Sequence, residues 1–212
     1  MWRLLQMADS AFPIGGFAHS FGLEAAAQAR EVPDLRRHAR DLIWQVGYGS
    51  LPLSRAAFAD LAALPLLDAR ADAFLANHVA NRASRTQGRA LVSTCERVFP
   101  RELAPVSEAA RGLRHHLAPL WGAACAALDL SLDDAQRLRL WSTARGVLSA
   151  AVRLGLAGTQ EAQALLAGLA PVLDEVHAAC AELPLDRLAQ TAPLADLLQG
   201  AHDRLYSRLF QS

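Results

Sequence analysis

Lysine is absent from this chain of 212 residues, and its whole cationic charge rests on 21 arginines that balance 21 acids. A formal net charge of zero removes the basic excess that drives bulk binding to nucleic acid or anionic membranes. Cysteine is nearly as scarce. Cys95, Cys125 and Cys180 are odd in number, far apart and in no CxxC spacing, which excludes a disulfide scaffold and points to three reduced thiols in a cytoplasmic protein. Long apolar runs are missing as well, because Arg, Asp or Pro interrupts every window before the ~20 residues of a membrane span. The opening MWRLLQMADS meets Asp9 at once and has no small-residue cleavage site, so it does not read as a signal peptide. β-Branched Val, Ile and Thr are few, which argues against a sheet.

What is present is alanine and leucine: 44 Ala and 37 Leu fill 81 of 212 positions. These are the strongest apolar helix formers, so the expected fold is all-α, a single-domain bundle of roughly ten helices over residues 1–212. Proline and glycine punctuate it. A short first helix leads to a turn at Ala11–Gly16, where Pro13 fixes φ and paired glycines permit positive φ. A helix is expected from about His19 to Arg30. Asp34 is placed to cap the next, along which Leu35, His38, Leu42 and Val46 recur at helical spacing. Pro52 and Pro65 bracket a third. From Leu66 to Phe99 the pattern predicts a long helical run with room for one break, after which Pro100, Pro105 and Pro119 should divide the chain into short pieces. Ser131 with Asp134 resembles a capping box, with Asp where Glu is usual, and Pro171 should kink or break the helix that begins near Thr159. Charge is uneven: residues 1–69 carry −1, 70–120 carry +4 and 121–212 carry −3.

Familiar catalytic signatures are missing: there is no GxSxG, Walker A, GxGxxG, HExxH or cysteine pair. His115 and His116 are adjacent, which on a helix would aim them about 100° apart and make them poor joint ligands for one metal. Neither a cofactor nor a metal site is expected. Arg82, Arg85 and Arg89 fall at i, i+3 and i+7 and would present three guanidinium groups on one face, suited either to binding a carboxylate or phosphate on a partner or to intramolecular pairing with acids. Two segments stand out from ordinary scaffold. Ser10–Glu24 sets Phe12, Phe17 and Phe21 around glycines, with Phe12 and Phe21 expected to tuck into the core. The last residues, 205–212, hold Leu205, Tyr206, Leu209 and Phe210 with Arg204 and Arg208, an apolar end that should dock either on its own core or on a partner.

Together these segments resemble the UreF family of urease accessory proteins. Leu4, Leu5 and Gln6 precede Pro13, Ile14, Gly15, Gly16 and Phe17, and Ser20, Gly22, Leu23 and Glu24 complete the family's opening pattern. Its ending is matched by Tyr206, Ser207, Arg208, Leu209, Phe210 and Ser212. Asn81–Leu91 and Leu148–Leu156 look like its two central helices. His19 stands where many members carry an aromatic, and Leu156-Ala157-Gly158 replaces a Pro-Leu-Gly.

The resemblance implies an all-α adaptor and no enzyme. Such a protein binds UreD (also called UreH) and the GTPase UreG, forms a homodimer, and serves nickel delivery to apo-urease. It implies that Gly15, Gly16 and Phe17 at the turn, with Tyr206, Arg208 and Phe210 in the tail, face partners, and that Glu24 bears on the GTPase. GTPase activation through an arginine finger overlaps with this role. The competing expectation is an all-α, transferase-like enzyme gripping an anionic substrate on the Arg82, Arg85 and Arg89 face.

Overall fold

A computed structural model describes residues 1–212, and every regular element in it is helical. In chain order these are α1 (Trp2–Ala8), α2 (Leu23–Ala29), α3 (Leu35–Gly49), α4 (Leu51–Ala59), α5 (Leu64–Phe74), α6 (His78–Val98) and α7 (Pro100–Ala109). There follow α8 (Leu117–Ala127), α9 (Leu132–Arg153), α10 (Thr159–Gly168), α11 (Ala170–Cys180) and α12 (Pro193–Gly200). Single 3-10 turns lie at Gly16–Ala18, Leu61–Ala63, Leu185–Arg187 and Ala201–Arg204. No helix is long and apolar enough to cross a membrane.

Local chemistry explains most boundaries. The Asp34 carboxylate accepts from the Arg37 amide at 2.7 Å, and Ser131 Oγ accepts from the Asp134 amide at 3.0 Å, so both residues cap their helices, although Asp134 does not return the bond that would complete a capping box. Pro52, Pro65 and Pro171 all sit in first turns, where a missing N–H costs no helical bond. The long run expected from Leu66 breaks at 75–77, because the Asn77 side chain caps a new helix by accepting from Val79 and Ala80.

Three expectations are corrected. Pro105 does not divide the chain; it lies inside α7, where Arg101, whose carbonyl loses its partner, is exposed to water. The helix expected from His19 starts only at Leu23, since Phe21 and Gly22 both take positive φ. His115 and His116 lie on no helix: they form the approach to α8, with His115 at φ 70°.

Two apolar clusters fill the interior. The larger, of 23 buried residues, gathers α4 to α8 and the start of α9 around Trp121, whose indole N–H donates to the Ala135 carbonyl at 2.9 Å. The smaller, of 15, lies among α2, α3, α10, α11 and the rest of α9. α9 serves both, with Leu138 in one and Leu140 in the other, and α4 does the same through Leu53 and Leu51. α4 and α8 cross so closely that a Cβ at Gly122 would stand 1.9 Å from the Ser54 carbonyl oxygen, and only glycine permits that contact. All three cysteines are buried and unbridged, and burial pushes Cys180 up to about 11 and Cys95 up to about 12. They are inert apolar fillers.

A buried polar clamp closes the loop ahead of α8. Asp68 accepts from the Arg114 and His116 amides at 2.7 Å each, while the His116 ring sits between Ser84 Oγ at 3.2 Å and Asp72 at 3.1 Å. His116 is fully enclosed, and burial lowers its pKa despite the neighbouring carboxylates.

Candidate functional site

The two ends of the chain meet. After α12 and the 3-10 turn Ala201–Arg204, residues 205–212 run without regular structure back over the N-terminal turn. Gln211 donates its amide to the Ala18 carbonyl at 2.8 Å and Ser20 donates to the Ser212 carbonyl at 2.5 Å. The His19 ring and Ser212 Oγ are 2.5 Å apart and both are buried.

Glu24 is the centre of this joint. It stands in the first turn of α2 and is 3% exposed, so it is not a surface group. Its carboxylate accepts from the Leu209 amide at 2.5 Å, the Phe210 amide at 3.2 Å and the His202 ring at 3.1 Å. A buried carboxylate needs such donors, because an unsatisfied charge in the interior costs several kcal/mol. His19 lies in the same pocket of structure. Burial lowers its pKa to about 4, helped by the charge of His202 nearby, so at neutral pH its ring is uncharged.

Arg153, the last residue of α9, joins turn to tail from outside. Its Nη1 donates to the Phe17 carbonyl, and its guanidinium lies 4.2 Å from the Phe210 ring centre and 5.8 Å from that of Phe17. Such stacking contributes about 0.5–2 kcal/mol depending on exposure.

A second anchor holds the tail from its other side. Asp203 accepts two bonds from Arg82, at 2.7 and 3.0 Å, and one from the His78 ring at 3.0 Å. Arg208 donates to the Asp203 backbone carbonyl at 2.8 Å and approaches its carboxylate at 3.7 Å. The paired bonds from Arg82, with His78 beside them, lower the Asp203 pKa to about 2.

These contacts redistribute the residues expected from sequence. Arg82, Arg85 and Arg89 do not act as one open face: Arg82 is bound to Asp203, Arg85 is partly buried beside His116, and Arg89 borders an open cleft with Glu96, Arg111 and His115. The pairing partner comes from 121 residues away, which helical spacing cannot reveal. Glu24 and Phe210 turn inward, Phe210 at 5% exposed. Phe12 is buried, while Phe21 is half-buried against the smaller core.

Gly15 (φ 74°), Gly16 and Phe17 stay at the surface with open space beside both glycines. Phe17 is 68% exposed and Tyr206 is completely so, with Leu209 at 56%. Gly22 is required by contact: at φ 84° it lets α12 approach until a Cβ there would lie 3.0 Å from the Leu198 Cβ.

Arg153, His202 and Asp203 were not legible in advance. Arg153 lay inside a segment already singled out, but nothing in its spacing marked it. No three His, Cys, Asp or Glu side chains gather as a ligand set.

The joint is therefore an assembled ledge. A buried, hydrogen-bonded charge fixes the tail, and Phe17, Tyr206 and Leu209 remain outside it. Exposed aromatics on a rigid backbone are what a protein partner can bury.

The UreF family matches residues 30–170. Urease accessory protein F of Arabidopsis thaliana is 37% identical, covering all of this chain and 92% of that protein. Urease accessory protein F of Oryza sativa subsp. indica is 34% identical over 99% of this chain and 84% of its own. Urease accessory protein UreF of Mycobacterium sp. (strain JLS) is 34% identical over 99% and 97%. With a family match over most of its length and likeness running from end to end, this chain belongs to the UreF family of urease accessory proteins and is not an enzyme.

Proposed function

We propose that this protein is a cytoplasmic adaptor in urease maturation, binding UreD (UreH) and recruiting or regulating the GTPase UreG while nickel is delivered to apo-urease. The observation that carries the reading is the joined turn and tail, in which Glu24 fixes residues 209 and 210 from within and leaves Phe17, Tyr206 and Leu209 outside. Burying one such aromatic removes 150–250 Å² from water, and a few central anchors of this kind dominate most interfaces. Leu194 and Leu197 on α12 are also exposed, and α12 packs on α2 and on the 3-10 turn 201–204, which extends the apolar surface away from the joint.

In this reading Gly15, Gly16 and Phe17, with Tyr206 and Arg208, face partners directly. Glu24, Arg82 and Phe210 hold the ledge in shape. Arg85 and Arg89 lie apart from it and belong to a different surface. The protein acts as a homodimer, and nickel is cargo of the assembly.

Co-purification of the tagged full chain with UreD and with UreG tests the proposal. Capture of both by the wild-type protein, and loss of UreD capture in Tyr206→Ser with Leu209→Ser, is the expected result. A folded wild-type chain that captures neither overturns it.

A further inference from the structure

Arg139, on α9, is partly exposed; its guanidinium has no carboxylate partner, and its enclosed Nε has no hydrogen-bond partner. Arg82 and Arg137 pair with acids and Arg145 and Arg153 stack on aromatic rings, while Arg85, beside His116, shares with Arg139 an enclosed Nε without a partner. A guanidinium enclosed at Nε with no acid beside it favours a counter-charge. Burial without any offsetting acid holds Arg139 down to about 10.

The space around it is large enough to hold that something. Arg139 lines a cavity of about 150 Å³ between α3, α4, α6 and α9, and a second of about 120 Å³ on the side of the N-terminal turn. Phe21, Gln87 and Arg139 are common to both, so the guanidinium stands where the two adjoin. Each volume is several times the roughly 10–15 Å³ that a single water requires.

A second orphan group lines the larger cavity. Ser50 is 7% exposed and its Oγ, also enclosed, has no partner. Ser50, Gln87 and Arg139 all line the larger cavity, among lining residues that are otherwise mostly apolar. Two acids border these cavities. Asp9, at the second, already accepts from the Ala11 amide at 2.8 Å and the Ser10 hydroxyl at 3.5 Å. Asp196, at the first, has its pKa raised by desolvation, and its Oδ2 accepts from Gln45 at 3.5 Å. Neither forms an ion pair with Arg139. Arg145 lines the second cavity without a carboxylate partner, so the electrostatic bias toward an anion continues to that side.

We propose that these adjoining cavities form a binding site for a small inorganic oxyanion, held by the Arg139 guanidinium with Ser50 and Gln87. Guanidinium presents a planar fork of donors that matches two oxygens of a phosphate, sulfate or carbonate. A bound anion would neutralise this guanidinium and offer acceptors to the unpartnered Arg139 Nε and Ser50 Oγ that line the larger cavity. The smaller cavity is bordered by Gly16 and Phe17 of the ledge, whereas Tyr206 and Leu209 line neither cavity, so capture through the tail is measurable apart from occupancy of the larger one.

The test is thermal unfolding of the full chain in phosphate, sulfate, bicarbonate, acetate and chloride at matched pH and ionic strength. At about five times its Kd, a bound oxyanion should raise Tm by about 2–4 °C over chloride. Arg139→Met should abolish that rise. Equal Tm in all five salts overturns the proposal, as does an undiminished rise in Arg139→Met, and a response to acetate alone assigns the site to a carboxylate instead. Should Arg139→Met not fold, Ser50→Ala carries the comparison: at least a threefold weaker apparent Kd supports the site, and an unchanged one counts against it.

Discussion

The Glu24 carboxylate and the His202 imidazole hydrogen-bond at 3.1 Å, 178 residues apart in sequence and both shielded from solvent. The same carboxylate takes the amides of residues 209 and 210, so one side chain of α2 organises the end of the chain. The tail's shape is thus a property of the folded interior, although part of its side-chain surface is outside.

Replacing that carboxylate should release the tail. Glu24→Ala leaves the Leu209 and Phe210 amides and the His202 ring without their acceptor, and breaking a buried, hydrogen-bonded pair costs about 3–5 kcal/mol. Hydrogen exchange at residues 205–212 should speed up markedly with α3 and α9 still protected. Unchanged protection of the tail would show that Glu24 does not hold it.

Acid should weaken the protein through His19. Its pKa falls from 6.5 unfolded to about 4 folded, so between those values the unfolded chain binds the extra proton and stability rises with pH. The contribution is complete above pH 6.5 and is lost as pH falls toward 4, amounting to about 3 kcal/mol. His38, whose pKa is lowered chiefly by burial, acts in the same direction, and so does Asp203, whose depressed pKa adds stability above 3.8 that disappears toward 2. Urea titrations across this range should show a shallower pH dependence in His19→Gln; matching slopes would remove His19 from the account.

Tyr206 separates binding from folding. It is fully exposed and makes no hydrogen bond, so Tyr206→Ser should change stability by no more than about 0.5 kcal/mol. Deleting residues 206–212 is different: it removes buried Phe210 and Ser212, and should lower Tm while helical circular dichroism stays nearly constant, since those residues form no helix. A large loss of ellipticity on deletion would mean that the tail is required for the bundle itself.

Gly122→Ala probes the crossing of α4 and α8. The added methyl would meet the Ser54 carbonyl at 1.9 Å, a backbone contact that no rotamer relieves. A loss of at least about 1–3 kcal/mol is expected in chemical denaturation. A neutral result would mean that the helices separate freely.

Sequence alone determined the helical class, the caps at Asp34 and Ser131, the prolines in first turns and the unusual character of the two chain ends. All of these depend on neighbours within a turn or two, where 3.6-residue spacing and backbone sterics decide the outcome. Pro105 shows the limit even locally, because solvent exposure let a helix tolerate what spacing said would end it. Only the tertiary structure decided that Glu24 and Phe210 face inward, that Arg82 belongs to Asp203, and that Arg153 bridges Phe17 and Phe210. A side chain's role there depends on what arrives from 100 or more residues away, and neither charge nor periodicity carries that information. Arg82 and Arg139 have the same side chain; one met a carboxylate in the fold, and the other met a cavity.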